Sequence, residues 1–239
     1  MPLPAVLTYA AFPAAAVVLG GVVSVIRVPS ASAQSAVQHF AAGVVFAALA
    51  TELLPEVMHK RLPLLTIGGF ALGVIVMLVL KALTEHAPKE GAVESSVPKG
   101  LLIALGVDIA LDGLLVGVGF AAGDKQGLLI TIALTLEVLF LGVSAAAALS
   151  RVGASRAHIV LTTAGLAGLL LAGAGLGSVV LSRMSGEALD VVLSFGVAAL
   201  LYLVVEELMV EAHEVPETPW LSATFFIGFL LLLVIEMLM

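Results

Sequence analysis

Long apolar stretches alternate with short polar breaks along the whole 239-residue chain. A helix needs about 20 apolar residues to cross a membrane, and eight stretches reach that length. The eight predicted spans lie at about residues 4–26, 36–58, 62–83, 100–122, 127–150, 158–182, 187–212 and 218–238. The predicted loop 84–99 mixes proline, glycine, serine and charge, and is long enough to be flexible. We therefore expect one all-α, polytopic transmembrane domain over residues 1–239.

The composition agrees with a polytopic membrane protein and argues against several functions. The chain is 61% hydrophobic and only 11% charged, as expected of a protein that lies mostly in lipid. It has no cysteine, which excludes disulfides and thiolate metal sites. A net charge of −7 argues against nucleic acid as a partner. No cofactor motif and no nucleophile–base arrangement is found, so we expect neither an enzyme nor a bound cofactor.

The basic residues predict the orientation of the chain. Six of them lie in or beside the odd-numbered loops and four in or beside the even-numbered loops. Because basic residues are enriched on the cytoplasmic side of membrane proteins, the odd loops, including 84–99, are predicted to be cytoplasmic. We expect a multi-pass protein of the cell membrane with both termini outside the cytoplasm.

One segment occurs twice. Residues 50–80 recur at 205–235, an offset of 155, so that Glu52 is repeated as Glu207. With eight spans, this repeat relates helices 2 and 3 to helices 7 and 8. Three helices, then two, then three would place the two copies in opposite orientations in the membrane. The predicted arrangement is a 3+2+3 inverted repeat about an axis in the membrane plane.

The repeat extends more weakly into the other helices. The same offset carries Gly20 of helix 1 onto Gly175 of helix 6. Helices 4 and 5 look like a second repeat with an offset of 29, which carries Asp108 onto Glu137. The acid that follows in helix 4 is lost in helix 5, where Leu141 stands.

Acidic residues within the apolar stretches are the candidate chemistry. Each charged acid near the bilayer centre costs about 2.5–3.5 kcal/mol on insertion scales, and no lysine or arginine lies in the middle of a span. We therefore expect these acids to hold a cation or to be protonated, and both are chemistries of transport. The acids are Glu52, Glu56, Asp108, Asp112, Glu137, Glu206, Glu207 and Glu211.

Three of these acids form the predicted metal site. Asp108 and Asp112 are four residues apart, on one face of helix 4 and about 6 Å from each other. Glu137 lies near the middle of helix 5. Carboxylates on adjacent helices make an oxygen-rich site for a hard divalent cation. The alternative for any one acid is protonation and a hydrogen bond to a hydroxyl such as Thr135 or Ser144.

Other polar residues are candidates for the pathway. Glu52 and Glu207 are predicted to contribute to metal binding from the facing repeat. Glu56 and Glu211 lie near helix ends, where solvated interfacial charge is an equal alternative, and the histidines are also candidates for ordinary interface residues. The predicted entrance or pathway residues are Glu56, Glu206, Glu211, His39, His59 and His213.

Two stretches resemble the ZIP (Zrt/Irt-like) family of divalent metal transporters, especially its short bacterial members. The stretch HFAAGVVFAALATELLPE, from His39 to Glu56, looks like the second helix of that family, which ends in H-L-L-P-E. Glu52 stands where the family often has histidine. The stretch ALLYLVVEELMVEAHE, with Glu206 and Glu207, looks like the seventh helix.

The central helices depart from the family pattern. Helix 4 of the family usually reads H-N-x-P-E-G, whereas this chain reads DIALDG from Asp108 to Gly113. Helix 5 usually reads H-E-x-P-E-G or a similar sequence, whereas this chain reads EVLFLG and has Leu141 in place of the second glutamate. The resemblance thus implies one simplified metal site without nitrogen ligands, which favours manganese or iron over zinc.

The resemblance also implies a mechanism. Zinc, iron or manganese would move toward the cytoplasm by alternating access, with helices 1, 4, 5 and 6 sliding against helices 2, 3, 7 and 8, commonly in a homodimer. No ATP would be used, and no P-loop pattern is present. The implied partners are the lipid bilayer, divalent metal ions and a second copy of the chain.

Two other functions stay open from the sequence. One is a proton-coupled carrier of a small organic substrate, in which the acids relay protons. The other is a non-transporting relative that acts as a structural or metal-sensing membrane protein.

Overall fold

The computed structural model describes residues 2–26, 29–85, 99–181, 184, 186–216 and 218–238. These residues form eight helices long and apolar enough to cross a membrane, and no strand. The helices are α1 (Leu3–Ile26), α2 (Ala31–Lys60), α3 (Pro63–Glu85), α4 (Lys99–Ala122), α5 (Asp124–Arg151), α6 (Arg156–Leu181), α7 (Glu187–Ala212) and α8 (Pro219–Leu238). The predicted all-α polytopic fold is confirmed.

Some helix ends differ from those expected. α2 begins at Ala31 rather than at residue 36, because the Ser30 side chain accepts a hydrogen bond from the Ala33 N–H at 3.3 Å and caps the helix. The predicted loop 84–99 is shorter than expected, since α3 continues to Glu85 and α4 begins at Lys99. The rest of that loop lies outside the described residues.

The helices pack in two groups. In the first bundle, α1 packs on α5 and α6, and α4 also packs on α5 and α6. In the second bundle, α2 packs on α8, and α3 packs on α7. The bundles meet where α2 packs on α5 and where α4 contacts α3 and α7. The two groups have the same members as the two sets of helices that the family resemblance implies.

Four glycines bring the helices of the first bundle into backbone contact. At each of them an added Cβ would collide with a carbonyl oxygen of the neighbouring helix, so that only glycine allows this approach. The glycines and the carbonyls are Gly20 on Leu139, Gly142 on Val17, Gly173 on Ala110 and Gly113 on Leu170. A residue of α1 corresponds to the residue of α6 that is 153 positions later, and a residue of α4 corresponds to the residue of α5 that is 29 positions later. With these offsets, each of the two α1–α5 contacts has a matching α4–α6 contact.

The packing therefore corrects the repeat alignment in α1. Gly20 corresponds to Gly173, whereas the sequence had paired it with Gly175. An added Cβ at Gly175 would meet only the Leu7 and Leu3 side chains, at 3.8 and 3.9 Å. A shift of two residues is invisible in this part of the sequence because small residues are frequent on both helices.

The second bundle repeats its own contact at the predicted offset of 155. An added Cβ at Gly73 of α3 would lie 2.9 Å from the Phe195 carbonyl oxygen of α7. Its counterpart Gly228 of α8 approaches the Phe40 carbonyl of α2 in the same way. If the two halves of the chain are related by a repeat, each contact between them must occur twice with the partners exchanged, as these two do. The inverted orientation of the halves stays a prediction.

Wide π-helical turns interrupt the two repeated helices at equivalent places. They span Leu49–Leu53 in α2 and Leu203–Leu208 in α7. In α2, Pro55 has no N–H to donate to the preceding turn, which favours this irregularity. Such turns often occur at functional sites, and here they carry Glu52 and Glu207.

The eight helices finish alternately at two opposite ends of the molecule. The odd-loop end is where α1, α3, α5 and α7 finish, and the even-loop end is where α2, α4, α6 and α8 finish. Asp112 and Glu137 lie between these ends, near the middle of α4 and α5.

Candidate metal centre

Three carboxylates from α4 and α5 meet in the first bundle. One oxygen from each of Asp108, Asp112 and Glu137 lies within 4.8 Å of the others. Asp112 is 0% exposed and Glu137 is 1% exposed. Gly113, the neighbour of Asp112 in the chain, fixes α4 closely against α6. The structure thus brings together the three residues that the sequence predicted as metal ligands.

Two of these carboxylates have oxygens without a hydrogen-bond partner among the described residues. Both oxygens of Asp112 and Oε2 of Glu137 have no hydrogen bond to any described residue. The hydroxyl of Thr135, one of the two expected donors, instead donates to the Thr131 carbonyl at 2.6 Å. Buried polar groups are normally hydrogen-bonded, and buried charges are normally paired. The cluster is therefore suited to bind a cation or protons.

A fourth carboxylate reaches the cluster from the second bundle. The carboxyl groups of Glu207 on α7 and Asp108 on α4 lie next to each other and line the same cavity. Such a close approach is stabilised by a shared proton or a bridging cation, since like charges repel. Glu207 thus lies beside the cluster on the side of the second bundle, and its contribution to metal binding stays a prediction.

A cavity of about 220 Å³ adjoins this cluster. It lies among α3, α4, α5 and α7 and extends toward the odd-loop end. Lys81 and Glu206 form an ion pair at its mouth, 2.9 Å long, with 40% and 45% of their side chains exposed. A water molecule occupies about 30 Å³ in the liquid, so the cavity has room for a cation with several waters. Its polar lining residues are Lys81, Asp108, Glu137, Glu206, Glu207 and Glu211.

A second cavity, of about 240 Å³, lies closer to the ends of α5 and α7. Its lining includes Gln38, Arg151 and Glu214, together with Glu211, which also lines the first cavity. The Gln38 side-chain amide donates a hydrogen bond to Glu211 Oε2 at 2.6 Å. Glu211 therefore borders both spaces, as expected of a pathway residue.

Two of the predicted pathway histidines lie together beside this region. The rings of His39 and His213 have centroids 5.3 Å apart. Nδ1 of His39 donates to the Ser35 carbonyl at 2.9 Å, and Nδ1 of His213 donates to the Met209 carbonyl. These bonds leave the lone pair of each neutral ring on Nε2, as in many metal-binding histidines.

Glu52 is not brought to the cluster. It lies at the even-loop end, with its Oε1 4.0 Å from Nζ of Lys125, and the same Nζ lies 2.9 Å from Glu236. No lysine or arginine lies in the middle of a described span, as the sequence indicated. Two lysines near helix ends nevertheless pair with membrane acids, Lys125 as described and Lys81 with Glu206. Lysines near helix ends have side chains long enough to reach inward along the helix, and a count of mid-span residues misses them.

The remaining candidates near the even-loop end also lie away from the cluster. Glu56 is 3.9 Å from Lys60, one turn further along α2, and His59 is exposed. The alternative of interfacial charge fits Glu56, and the reading of an ordinary interface histidine fits His59.

One further buried acid, Asp190, was not among the residues predicted from the sequence. Asp190, in the first turns of α7, is 0% exposed and accepts a 3.4 Å hydrogen bond from the Thr66 hydroxyl. Its Oδ1 has no partner among the described residues. The available signal was its spacing of four residues from Ser194, which is also buried. It does not join the metal-ligand cluster.

Comparison with known proteins assigns no family. No family model matches the chain, and no curated protein matches it. The resemblance to the ZIP family stays a prediction that rests on the quoted motifs.

Proposed function

We propose that the protein transports a divalent metal cation and binds it at Asp108, Asp112 and Glu137. The observation that carries this proposal is the group of three carboxylates whose oxygens lie within 4.8 Å of one another, two of them buried. Both oxygens of Asp112 and Oε2 of Glu137 lack hydrogen bonds from the described residues. A divalent ion would neutralise two charges at once and satisfy several oxygens.

The ligand chemistry points to a hard cation. All three ligands offer carboxylate oxygen, and the chain has no cysteine. Manganese and iron(II) accept oxygen ligands readily, whereas zinc sites usually include nitrogen or sulfur. We therefore rank Mn²⁺ or Fe²⁺ above Zn²⁺ as the cargo.

The surroundings of the site favour transport over static binding. Asp108, Asp112 and Glu137 belong to the first bundle, and Glu207 reaches them from the second. Rigid movement of one bundle against another, around a site near the membrane midplane, is a common mechanism of secondary transporters. The cavity extends from the site toward the odd-loop end, and Glu211 extends the polar path toward the second cavity.

Direction and assembly rest on the sequence. The basic residues favour a cytoplasmic odd-loop end, so the path from the cluster through Glu211 to His39 and His213 would be the exit of an importer. The inverted repeat rests on the offset of 155 residues between the two halves, and transport without ATP and a homodimer rest on the family resemblance.

Metal uptake by purified protein in proteoliposomes tests the proposal. The parent protein is expected to take up Mn²⁺, and Asp112→Ala is expected to abolish this uptake. Asp190→Asn is the matched control, because Asp190 is an equally buried acid on another helix, outside the cluster. Unchanged transport of Mn²⁺, Fe²⁺ and Zn²⁺ by Asp112→Ala would refute the site.

One observation favours a second candidate, a proton-coupled carrier of an organic substrate. The close approach of the Asp108 and Glu207 carboxyl groups is stabilised by a shared proton as well as by a bridging metal. Flux driven by a pH gradient in metal-free buffer would support that carrier, and metal bound to the purified protein would count against it.

A further inference from the structure

An ionic cluster links the two bundles at the even-loop end. Lys125 lies in the first turn of α5, in the first bundle. Its two partners, Glu236 of α8 and Glu52 of α2, belong to the second bundle, at 2.9 and 4.0 Å. By contrast, the Lys60–Glu56 ion pair lies within α2.

The interface between the metal centre and this end is closed by apolar side chains. Three side chains pack around Gly196 of α7. A Cβ added at Gly196 would lie 3.3 Å from the side chain of Val118 and 3.6 Å from that of Leu115, both on α4. It would lie 3.8 Å from the side chain of Leu53 on α2. Leu115 is 2% exposed, and Val118 and Leu53 are 0% exposed. The cluster of carboxylates is thus reached from the odd-loop end and sealed from the even-loop end.

We propose that Glu52 and Glu236 form an entrance site for the transported cation, and that Lys125 occupies it while the even-loop end is closed. This inference rests on the proposed transport function. The Lys125 ammonium is then a tethered substitute for the arriving ion. It neutralises the two acids and ties α5 to α2 and α8.

The fold keeps the two acids together when the bundles separate. α2 and α8 belong to the same bundle and are held by the backbone contact of Gly228 with Phe40. Lys125 would leave with α5, because it lies on the other bundle. Glu52, which is 4% exposed, would then need another cation. Two adjacent carboxylates offer a divalent ion the oxygen ligands that it prefers.

The site lies apart from the metal centre. On α5, Lys125 and Glu137 are 12 residues apart, which is about 18 Å along a helix. An ion bound at Glu52 and Glu236 is therefore at a different position from one bound at Asp112. When the arriving ion replaces the Lys125 ammonium between the two acids, binding of the ion is coupled to opening of the even-loop end.

Single cysteines can report which end is open, because the chain contains no native cysteine. Val118→Cys reports the sealed interface, and Leu111→Cys reports the cavity, which Leu111 lines. Reaction with N-ethylmaleimide is measured for each reporter in the parent background and with Lys125→Met. We expect Lys125→Met to speed labelling at Val118→Cys about threefold or more, and to slow it at Leu111→Cys.

Two control variants sharpen the labelling test. Lys60→Met removes a lysine at the same end whose ion pair stays within one helix, and is expected to leave both labelling rates unchanged. Lys125→Arg keeps the positive charge and is expected to label like the parent. Unchanged labelling at Val118→Cys, or faster labelling at both reporters, would overturn the closing role of Lys125.

Mn²⁺ titration tests the entrance site itself. Without its ammonium, Lys125→Met should bind a second Mn²⁺ per chain, and the double variant Lys125→Met with Glu236→Gln should lose it. Unchanged stoichiometry in Lys125→Met would overturn the entrance site. Failure of the parent protein to take up any metal would instead refute the proposed function, so the two failures are distinguishable.

Discussion

Gln38 of α2 donates a 2.6 Å hydrogen bond to Glu211 of α7, whose carboxylate borders both cavities. The contact holds a partly buried acid between the carboxylate cluster and the end of α7. A cation that leaves the cluster toward the odd-loop end would therefore meet Glu211 first, and the second cavity after it.

Glu211→Ala is expected to slow transport more than it weakens binding. The variant removes an acid from the path but none of the three cluster ligands, so Mn²⁺ uptake should fall about tenfold while Mn²⁺ affinity stays nearly the same. Uptake in proteoliposomes and calorimetric titration measure the two quantities. Glu214→Ala, at an exposed residue of the second cavity, is the control. An equal loss of affinity and uptake in Glu211→Ala would contradict a role in the path.

Asp112→Asn is expected to stabilise the metal-free protein. It replaces a fully buried group that lacks hydrogen-bond partners among the described residues by a neutral one, which removes the cost of a buried, unpaired charge. The same variant should lose the rise in Tm that Mn²⁺ gives the parent protein, since only a protein that binds the ligand is stabilised by it.

Asp190→Asn separates these two effects. It also neutralises a buried acid, but one outside the cluster, so it should keep the Mn²⁺-dependent rise in Tm. Thermal unfolding with and without Mn²⁺ is the measurement for both variants. A full Mn²⁺ response in Asp112→Asn would contradict the site.

Glycine substitutions test the corrected repeat alignment. Gly20→Ala and Gly173→Ala each drive a Cβ into a carbonyl of the neighbouring helix, and both should destabilise the protein, by about 1–3 kcal/mol. Gly175→Ala should be tolerated, because its new Cβ would meet side chains at ordinary distances. Thermal or denaturant unfolding ranks the three variants. Equal damage at Gly173 and Gly175 would contradict the alignment of Gly20 with Gly173.

Features set by local spacing were predictable from the sequence. The eight helices follow from apolar length, and Asp108 and Asp112 share a face because four residues make about one helical turn. Glu137 joins them because α4 and α5 follow each other in the chain and pack on each other. The family resemblance added a grouping of helices that agrees with the packing.

Features set by contacts distant in the chain were not predictable in the same way. The pairing of Lys125 with Glu52 depends on how α5 packs on α2, and no local pattern specifies it. The same holds for the separation of Glu52 from the cluster, although its repeat partner Glu207 lies beside it. Burial of Asp190 depends on α3, which supplies Thr66.

Anomalous diffraction from crystals of the protein soaked in Mn²⁺ would locate the bound metal. We expect a manganese peak bounded by carboxylate oxygens of Asp108, Asp112 and Glu137, and its loss in Asp112→Ala. A manganese peak found only elsewhere, or no peak between these three residues at saturating Mn²⁺, would contradict the proposed site.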